Sequence, residues 1–308
     1  MTDIDRNERR RAVWIGAAAL LPLAANSLLA RLALHDAGGD AASYTTVRLL
    51  AGAAMLWLLM AWRGRPVRIA GSQRDWLAAG CLFLYAVAFS FAYLGLHAGL
   101  GALILFGTVQ IAMFAVGLRE GERLGLLGWF GWLGACAGLV WLLAPGADAP
   151  PLWAAALMAV AGLAWAGYSL IGRRAGDPLD ATSGHFNRAA LMALPVWLIG
   201  LPWARFEIDA LGLAVISGAL TSALGYVIWN RALPGLGASR AATLQLSVPV
   251  LAAAASVLWL GEPLTIRLLL AGTAVILGVA LVVATRVHAI ERHAHPAVPP
   301  RRPKEIRP

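Results

Sequence analysis

Two short stretches decide how this chain folds: GERLGLL, residues 121–127, and GEPLTIR, residues 261–267. Each places a Gly-Glu pair directly after a long apolar run, and another apolar run follows. Because charged side chains are costly inside hydrocarbon, such a break is typical of a loop between two membrane-spanning helices. The recurrence of the motif in the second half predicts an internal repeat.

The composition of the 308-residue chain points to the bilayer as its solvent. It is 60% hydrophobic and only 13% charged, with a mean hydropathy of +0.71, whereas soluble domains carry about 25% charged residues. The net charge of +9 does not indicate a nucleic-acid partner, because the basic residues are spread over short loops and form no single basic face. We therefore expect membrane lipid and a small-molecule solute as partners, and no nucleic acid.

Ten apolar runs are long enough to cross a membrane, which takes about 20 residues as a helix. The sequence thus predicts an all-α integral membrane protein with ten transmembrane helices and no room for a soluble domain. The predicted runs are 12–34, 41–61, 75–96, 101–118, 124–144, 151–172, 183–203, 210–230, 238–260 and 264–285.

Basic residues fall on one side of the membrane if these runs alternate in direction. That side receives the tail of residues 1–11, the loops after the second, fourth, sixth and eighth runs, and the basic, Pro-rich tail of residues 287–308, which we expect to be disordered. Since cytoplasmic loops retain Lys and Arg, we predict a multi-pass protein of the inner (plasma) membrane with both termini in the cytoplasm.

The two halves, residues 12–146 and 151–286, resemble each other beyond the Gly-Glu pair. Asp40, Ser43, Arg48 and Trp57 match Asp180, Ser183, Arg188 and Trp197 at a constant offset, and further matches join Arg31 to Arg173, Gly138 to Gly278, and GLGA at Gly99 to GLGA at Gly235. Five helices are an odd number, so the second copy enters from the opposite side. We predict two inverted repeats, with Glu122 in the cytoplasm and Glu262 outside it.

The stretch that begins at Tyr226, YVIWNRALPGLGASRAATLQLSVPVLAAAASVLWLGEPLTIRLLLAGTAVILGVALVV, resembles the EamA domain of the drug/metabolite transporter superfamily. The first half resembles the same domain more loosely through GERLGLLGWFGWLGACAGLVWLL. The resemblance implies ten helices and secondary transport of small metabolites, usually export. One departure is that Ser-Val-Pro-Val in the second copy is replaced by Thr-Val-Gln-Ile, without the proline, at residues 108–111.

Two arginines lie inside apolar runs at matching places, Arg48 in the second run and Arg188 in the seventh. A centred arginine costs roughly 2.5–3.5 kcal/mol on insertion scales, so each must have a purpose. One hypothesis is a cation that meets an anionic solute or controls a gate. The alternative is a structural arginine that caps helix carbonyls or pairs with a loop acid such as Asp40 or Asp180.

Other polar residues within the runs are candidates for the walls of a solute path. They come from the first, third, fourth, sixth and ninth runs, as expected for a site between two repeats, although each could equally form a helix–helix hydrogen bond. These candidates are Asn26, Tyr93, Gln110, Tyr168 and Gln245. His185, near Arg188, is a candidate for proton coupling or for a neutral hydrogen bond.

The sequence predicts a secondary transporter rather than an enzyme, and the resemblance implies export as its direction. A GxxxxGK[ST] phosphate loop is missing from the sequence, and we expect neither a cofactor nor a bound metal, since the tail histidines have no folded frame. The alternative is an intramembrane enzyme such as a lipid-modifying transferase, which would need clustered acids, bases or metal ligands. The oligomeric state does not follow from the sequence.

Overall fold

The computed structural model describes residues 3–66, 71–119, 125–144, 146, 149–172, 177–232 and 244–294, and for residues 3–10 and 283–294 it describes the backbone alone. Within these ranges the chain is all helical, without strands. The ten helices are α1 Asp3–Arg31 with a π-helical end at Leu32–Asp36, α2 Ala41–Trp62, α3 Gln73–Ala92, α4 Ala98–Arg119, α5 Leu126–Leu143, α6 Leu152–Gly172, α7 Pro178–Gly200, α8 Ile208–Ala232, α9 Ser247–Leu260 and α10 Ile266–Ala294.

Seven of these helices are long and apolar enough to cross a membrane, namely α1 from Arg11 onward, α2 to α6, and α8. The apolar parts described for α9 and α10, Ser247–Leu260 and Ile266–Val282, are shorter. The 23-residue α7 is not among the seven, and its first half holds Asp180, His185, Asn187 and Arg188. The chain is therefore a multi-pass α-helical membrane protein.

Several helix starts follow from local capping chemistry. Asp40 accepts a hydrogen bond from the backbone N–H of Ser43 (2.8 Å) at the start of α2. Ser72 and Asp75 form a reciprocal capping box at the start of α3. Asp177 caps α7, whose first residue is Pro178, and this explains why α7 begins before the predicted residue 183.

Three other helix boundaries differ from the prediction, one because of a tertiary contact and two because the helix continues further along the chain. Helix α4 begins at Ala98 rather than 101, since the Glu262 carboxylate accepts the Ala98 backbone N–H at 2.8 Å. Helices α1 and α10 continue into the segments predicted as tails, to Asp3 and Ala294. The predicted start of the ninth run, Glu122, Arg173 and the GLGA at Gly235 lie outside the described residues.

Small residues let the helices pack closely, most clearly where α5 crosses α10. A Cβ at Gly131 or at Gly278 would collide with the backbone of the other residue. Without a hydrophobic driving force in lipid, such close backbone contact is a main source of helix association. Alanine likewise fills much of the buried interior of the bundle.

Polar contacts tie the loops together at the two ends of the bundle. At one end, which we name the Glu262 end, Glu262 contacts Arg31 and Ala98, and Asp40 accepts the backbone N–H of Arg205 at 2.9 Å. At the other, the Asp177 end, Arg65 lies 3.1 Å from both Asp177 and Asp180. Each end therefore joins the first half of the chain to the second.

Candidate functional site

Arg48 occupies the interior of the bundle and is only 1% exposed. It is the eighth residue of α2, so its backbone lies about 10 Å along the helix from the Glu262 end. Its side chain reaches Tyr85 in the middle third of α3, and Ser222 and Tyr226 in α8. The guanidinium is thus held between the two halves of the chain, in the interior of the helix bundle.

The partners of Arg48 are neutral. Nε donates to Ser222 Oγ at 3.0 Å, and Nη2 donates to the hydroxyls of Tyr226 and Tyr85 at 3.2 and 3.3 Å. Cζ lies 4.9 Å from the ring centroid of Phe89 and 5.4 Å from that of Tyr85. We name these five residues, Arg48, Tyr85, Phe89, Ser222 and Tyr226, the Arg48 cluster.

Energetically, the cluster solvates the charge without neutralising it. Burial of an ion costs several kcal/mol even after relaxation. Hydrogen bonds from a charged donor return about 1.5–3 kcal/mol each, and a desolvated cation–π contact about 2 kcal/mol. Asp40 and Asp180, the loop acids considered as partners, contact Arg205 and Arg65 instead, so they do not supply a counter-charge to Arg48.

Asn26 joins the cluster through an irregular part of α8. Residues Ser217–Leu224 are π-helical, a geometry that is often found at functional sites. The hydroxyls of Ser217, Thr221 and Ser222 all donate to Asn26 Oδ1, at 2.9, 2.6 and 3.2 Å. The structure therefore brings two predicted site residues, Asn26 and Arg48, to the same serine.

Aromatic rings connect the Arg48 cluster to the start of α7. Tyr85, Phe89 and Tyr93 follow one face of α3, with ring centroids 5.3 and 4.8 Å apart. Trp165 of α6 lies 5.0 Å from Tyr85 and 4.7 Å from Tyr226. Through Tyr168, which Trp165 also contacts at 5.5 Å, the series of rings continues to His185.

The predicted residues His185 and Arg188 form a second polar group near the Asp177 end. His185 Nε2 lies 3.8 Å from Asp75 Oδ1, and the imidazole meets the ring of Tyr168 edge-on at 5.6 Å. The Arg188 guanidinium lies over Trp76, with Cζ 5.6 Å from the ring centroid. A Cβ at Gly71 would touch both Arg188 and Asp75, which places that cation beside a carboxylate.

The remaining predicted residues have different surroundings. Tyr93 donates its hydroxyl to the Ala98 carbonyl at 3.3 Å, and its ring packs against Gly101 at the start of α4. Gln110 is buried in α4, and Gln245 is buried just before α9. Tyr93 thus helps to fix the α3–α4 connection, where the sequence alone suggested a place in the wall of a solute path.

Sequence reasoning missed most partners of Arg48, and it missed the role of Glu262. Tyr85 and Phe89 stand four residues apart, with Tyr93 four further on, and such an aromatic stripe was a usable signal. For Glu262 the signal was the repeat itself. Both halves have an arginine near the end of their first apolar run and a glutamate between their fourth and fifth runs.

A separate cavity of about 450 Å³ lies between α4, α9 and α10. It is lined almost entirely by apolar side chains, among them Leu103, Val250 and Val257. Polar solutes need convergent polar groups in a binding site. We therefore do not assign this cavity to a polar solute.

These features define a class: a multi-pass helical protein that buries a cation, an amide and hydroxyls from both of its halves in one polar cluster, as solute carriers do. The pattern of the EamA-like transporter family matches residues 152–284, so the second half of the chain is an EamA-like transporter domain, as the resemblance to the drug/metabolite transporters predicts. The uncharacterized protein PA1977 of Pseudomonas aeruginosa is 49% identical over 278 residues, 90% of this chain and 96% of that protein.

Two further likenesses agree with this assignment. The uncharacterized transporter YwfM of Bacillus subtilis is 28% identical over 232 residues, which are 70% of this chain and 75% of that protein. A solved structure, named only as a crystal structure of a protein, matches with a TM-score of 0.64 at 21% identity, over 90% of this chain and 99% of that one. At this identity the last comparison supports the fold alone.

Proposed function

We propose that this chain is a secondary transporter that moves small solutes across the inner (plasma) membrane by alternating access between two inverted five-helix repeats, residues 12–146 and 151–286. Both termini, including residues 1–11 and 287–308, lie in the cytoplasm. The solute path passes between the repeats, and its direction in the cell is export, as the family resemblance implies. Its candidate residues are Asn26, Arg48, Tyr93, Gln110, Tyr168, His185, Arg188 and Gln245.

The observation that carries the proposal is the symmetry of the helix contacts. The exchange maps each helix of the first half onto its counterpart in the second, α1 onto α6, α2 onto α7 and so on to α5 onto α10. Under this exchange, the contacting pair α1–α9 becomes α4–α6, the pair α2–α8 becomes α3–α7, and the pair α3–α6 becomes α1–α8. The pairs α2–α7, α4–α9 and α5–α10 map onto themselves. Such an exchange is what a pseudo-two-fold axis between inverted repeats requires.

The position of Glu262 supports the opposite placement of the two Gly-Glu turns. Glu262 caps the first residue of α4, whereas Glu122 follows the last. Because α4 has 22 residues, about 33 Å separate its two ends, which is about the thickness of the hydrocarbon core. This length supports the proposal that the two glutamates lie on opposite sides of the membrane.

Both ends of the bundle carry contacts that alternating access would break in turn. The Glu262 end joins the repeats through Arg31 and Glu262, and the Asp177 end joins them through Arg65 and Asp177. Opening one end while the other stays closed exposes a central site to one side at a time. The Arg48 cluster, which uses residues of both repeats, lies between these two contacts.

Flux into proteoliposomes tests the transport function. The purified chain is reconstituted, labelled solutes are added in groups by charge, and uptake is compared with that of protein-free vesicles. We expect saturable uptake without ATP, and acceleration by unlabelled solute inside the vesicles. Uptake that is linear in concentration and equal to that of protein-free vesicles would refute carrier function.

Cysteine labelling tests the inverted repeat separately. Cys81 and Cys136, which are free thiols, are first replaced by alanine, and a single cysteine is introduced at Glu122 or at Glu207. A membrane-impermeant maleimide added to intact cells should label the Glu207→Cys variant and leave the Glu122→Cys variant unlabelled until the cells are opened. Equal labelling of both in intact cells would contradict the proposed topology.

A further inference from the structure

Arg48 carries a charge that no described carboxylate balances. The groups that face it are Tyr44, Tyr85, Tyr226 and Ser222, all of them neutral hydroxyls. Its third nitrogen, Nη1, is buried without a hydrogen-bond partner in the described part of the chain. An arginine fork is built to bind two oxygens of one carboxylate, so half of this fork is available.

The same chain neutralises another buried arginine with an acid. Arg31 donates from Nε to the Glu262 carboxylate at 3.0 Å, and that carboxylate is itself buried. Arg188 likewise lies beside Asp75. A purely structural arginine at the position of Arg48 would have the same need, because a buried charge without a counter-charge is costly.

A second donor without a partner points to the same place. Arg48 Nε can only donate, so Ser222 Oγ accepts from it, and the Ser222 proton goes to Asn26 Oδ1. This orients the Asn26 amide and leaves Nδ2 as its donor, which is buried without a partner among the described residues. Both Asn26 and Arg48 are 1% exposed, and the two donors flank one serine. The site has spare donors and therefore suits an acceptor-rich anion.

Aromatic rings surround the remaining sides of the Arg48 cluster. Trp165 packs against Tyr85 and Tyr226, and Phe186 lies 5.9 Å from Tyr226. Around the guanidinium these side chains leave no space for even a water molecule. The two tyrosine hydrogen bonds, at 3.2 and 3.3 Å, lie at the long end of the usual N–H···O range. A ligand that separates α3 from α8 would replace them with shorter charge-assisted bonds.

We propose that the solute carries a carboxylate on an apolar body: the carboxylate accepts from Arg48 and from Asn26 Nδ2, and the apolar body lies against the rings of Tyr85, Trp165 and Tyr226. This inference rests on the proposed transport function, because it names the class of solute that the carrier would move. It is a statement about binding, however, and can be tested without flux.

The test compares ligands of equal shape and different charge. Binding of benzoate, phenylacetate and 4-methylpentanoate to the purified full-length chain is measured by calorimetry, against the corresponding amides and primary ammonium compounds. We expect at least one carboxylate to bind ten-fold or more tightly than both its amide and its ammonium analogue. Equal or tighter binding by the neutral or cationic analogues in all three sets, or binding by none of the carboxylates, overturns the proposal.

Variants then locate the site. Arg48→Met should abolish carboxylate binding, and Arg48→Lys should retain a weak part of it, because a lysine provides charge but no fork. The matched control is Arg63→Met, an exposed arginine at the end of the same helix, which should bind like the wild type. If Arg48→Met does not fold, Asn26→Asp keeps the shape of the side chain but removes the spare Nδ2 donor, and it should weaken benzoate at least three-fold while leaving the amide unchanged. Undiminished carboxylate binding by Arg48→Met or Asn26→Asp overturns the assignment.

Flux separates this inference from the proposed function. Carboxylate binding that depends on Arg48, without saturable uptake into proteoliposomes, would leave the binding site standing and refute the carrier. Saturable uptake of neutral solutes, with no preference for carboxylates and no effect of Arg48→Lys, would leave the carrier standing and refute the substrate class.

Discussion

Replacement of Glu262 by leucine should destabilise the fold by more than the replacement of a loop glutamate ordinarily does. The carboxylate accepts Arg31 Nε at 3.0 Å and the Ala98 backbone N–H at 2.8 Å, and it lies 3.3 Å from His97 Nδ1. The side chains of Arg31 and Glu262 are only 10% and 7% exposed, so solvent screens the pair little. Removal of one partner of a buried ion pair costs about 3–5 kcal/mol, and about 1 kcal/mol of this corresponds to the lost cap on α4.

The double variant Arg31→Met/Glu262→Leu separates these contributions. Removal of both charges leaves no buried ion, and such replacements are often neutral. Only the missing cap on α4 should remain, at about 1 kcal/mol. The double variant should therefore be more stable than Glu262→Leu alone by about 2–4 kcal/mol.

The assay is unfolding by sodium dodecyl sulfate in mixed micelles, followed by tryptophan fluorescence and circular dichroism. Glu207→Leu serves as the control, because Glu207 is exposed at the same end and its side chain caps no helix; it should change the free energy of unfolding by less than about 0.5 kcal/mol. The reasoning would be refuted if the effects of Arg31→Met alone and Glu262→Leu alone simply added up in the double variant. A loss of less than about 1 kcal/mol in the free energy of unfolding for Glu262→Leu would also refute it.

Three further outcomes are expected. Gly218→Ala should reduce the folded yield, because a Cβ there would collide with the Arg48 backbone, whereas Gly212→Ala, with open space around it, should be neutral or stabilising by about 0.5–1 kcal/mol; equal yields would argue against this close approach of α2 and α8. At the Asp177 end, slight desolvation raises the pKa of Asp177 but is outweighed by hydrogen bonds from Arg65 and two backbone N–H groups, so the pKa is lowered. The resulting stabilisation exists above the unfolded-state pKa of about 3.9 and is lost as the pH falls through the lower folded value. Arg65→Met should therefore lower the free energy of unfolding slightly at pH 7, as expected for an exposed ion pair, and this difference should disappear as the pH falls through the lowered folded-state pKa; a pH-independent difference would contradict this. His185 faces Asp75, Arg188 and Tyr168, and His185→Gln should flatten the pH profile of flux if protons move through this side chain; an unchanged profile would exclude coupling through this residue.

Much of the helical layout could be predicted because membrane spans need long apolar runs. The second run, predicted at 41–61, corresponds to α2 at Ala41–Trp62, and the sixth, predicted at 151–172, to α6 at Leu152–Gly172. The seventh was less well defined, since the first half of α7 is polar and its start is set by the cap at Asp177. The EamA resemblance found in the sequence is confirmed by the match over residues 152–284.

The candidate site was harder to predict, because hydropathy shows which residues are costly in lipid but not which helices meet. Arg48 and Asn26 were identified because polar side chains are costly inside hydrocarbon. Their partners in α8 are distant in the sequence, however, and Tyr226 lies 178 positions from Arg48. The π-helical geometry at Ser217–Leu224 has no obvious sequence signal. Glu262 was interpreted as a loop charge because the sequence does not show that the end of α1 and the start of α4 converge on it.

The π-helical turns of α8, Ser217–Leu224, determine the direction in which the later side chains of this helix point around its axis. One α-helical residue corresponds to about 100° of rotation and a residue of a wider π turn to somewhat less, so deletion of Thr221, with the other turns unchanged, would turn Tyr226 and Asn230 by nearly that angle around the helix axis. Tyr226 would leave Arg48, and Asn230 would lose its 3.2 Å hydrogen bond to Thr182 in α7. A single lost codon in this segment would thus remove two contacts between helices without substituting any of the residues that form them.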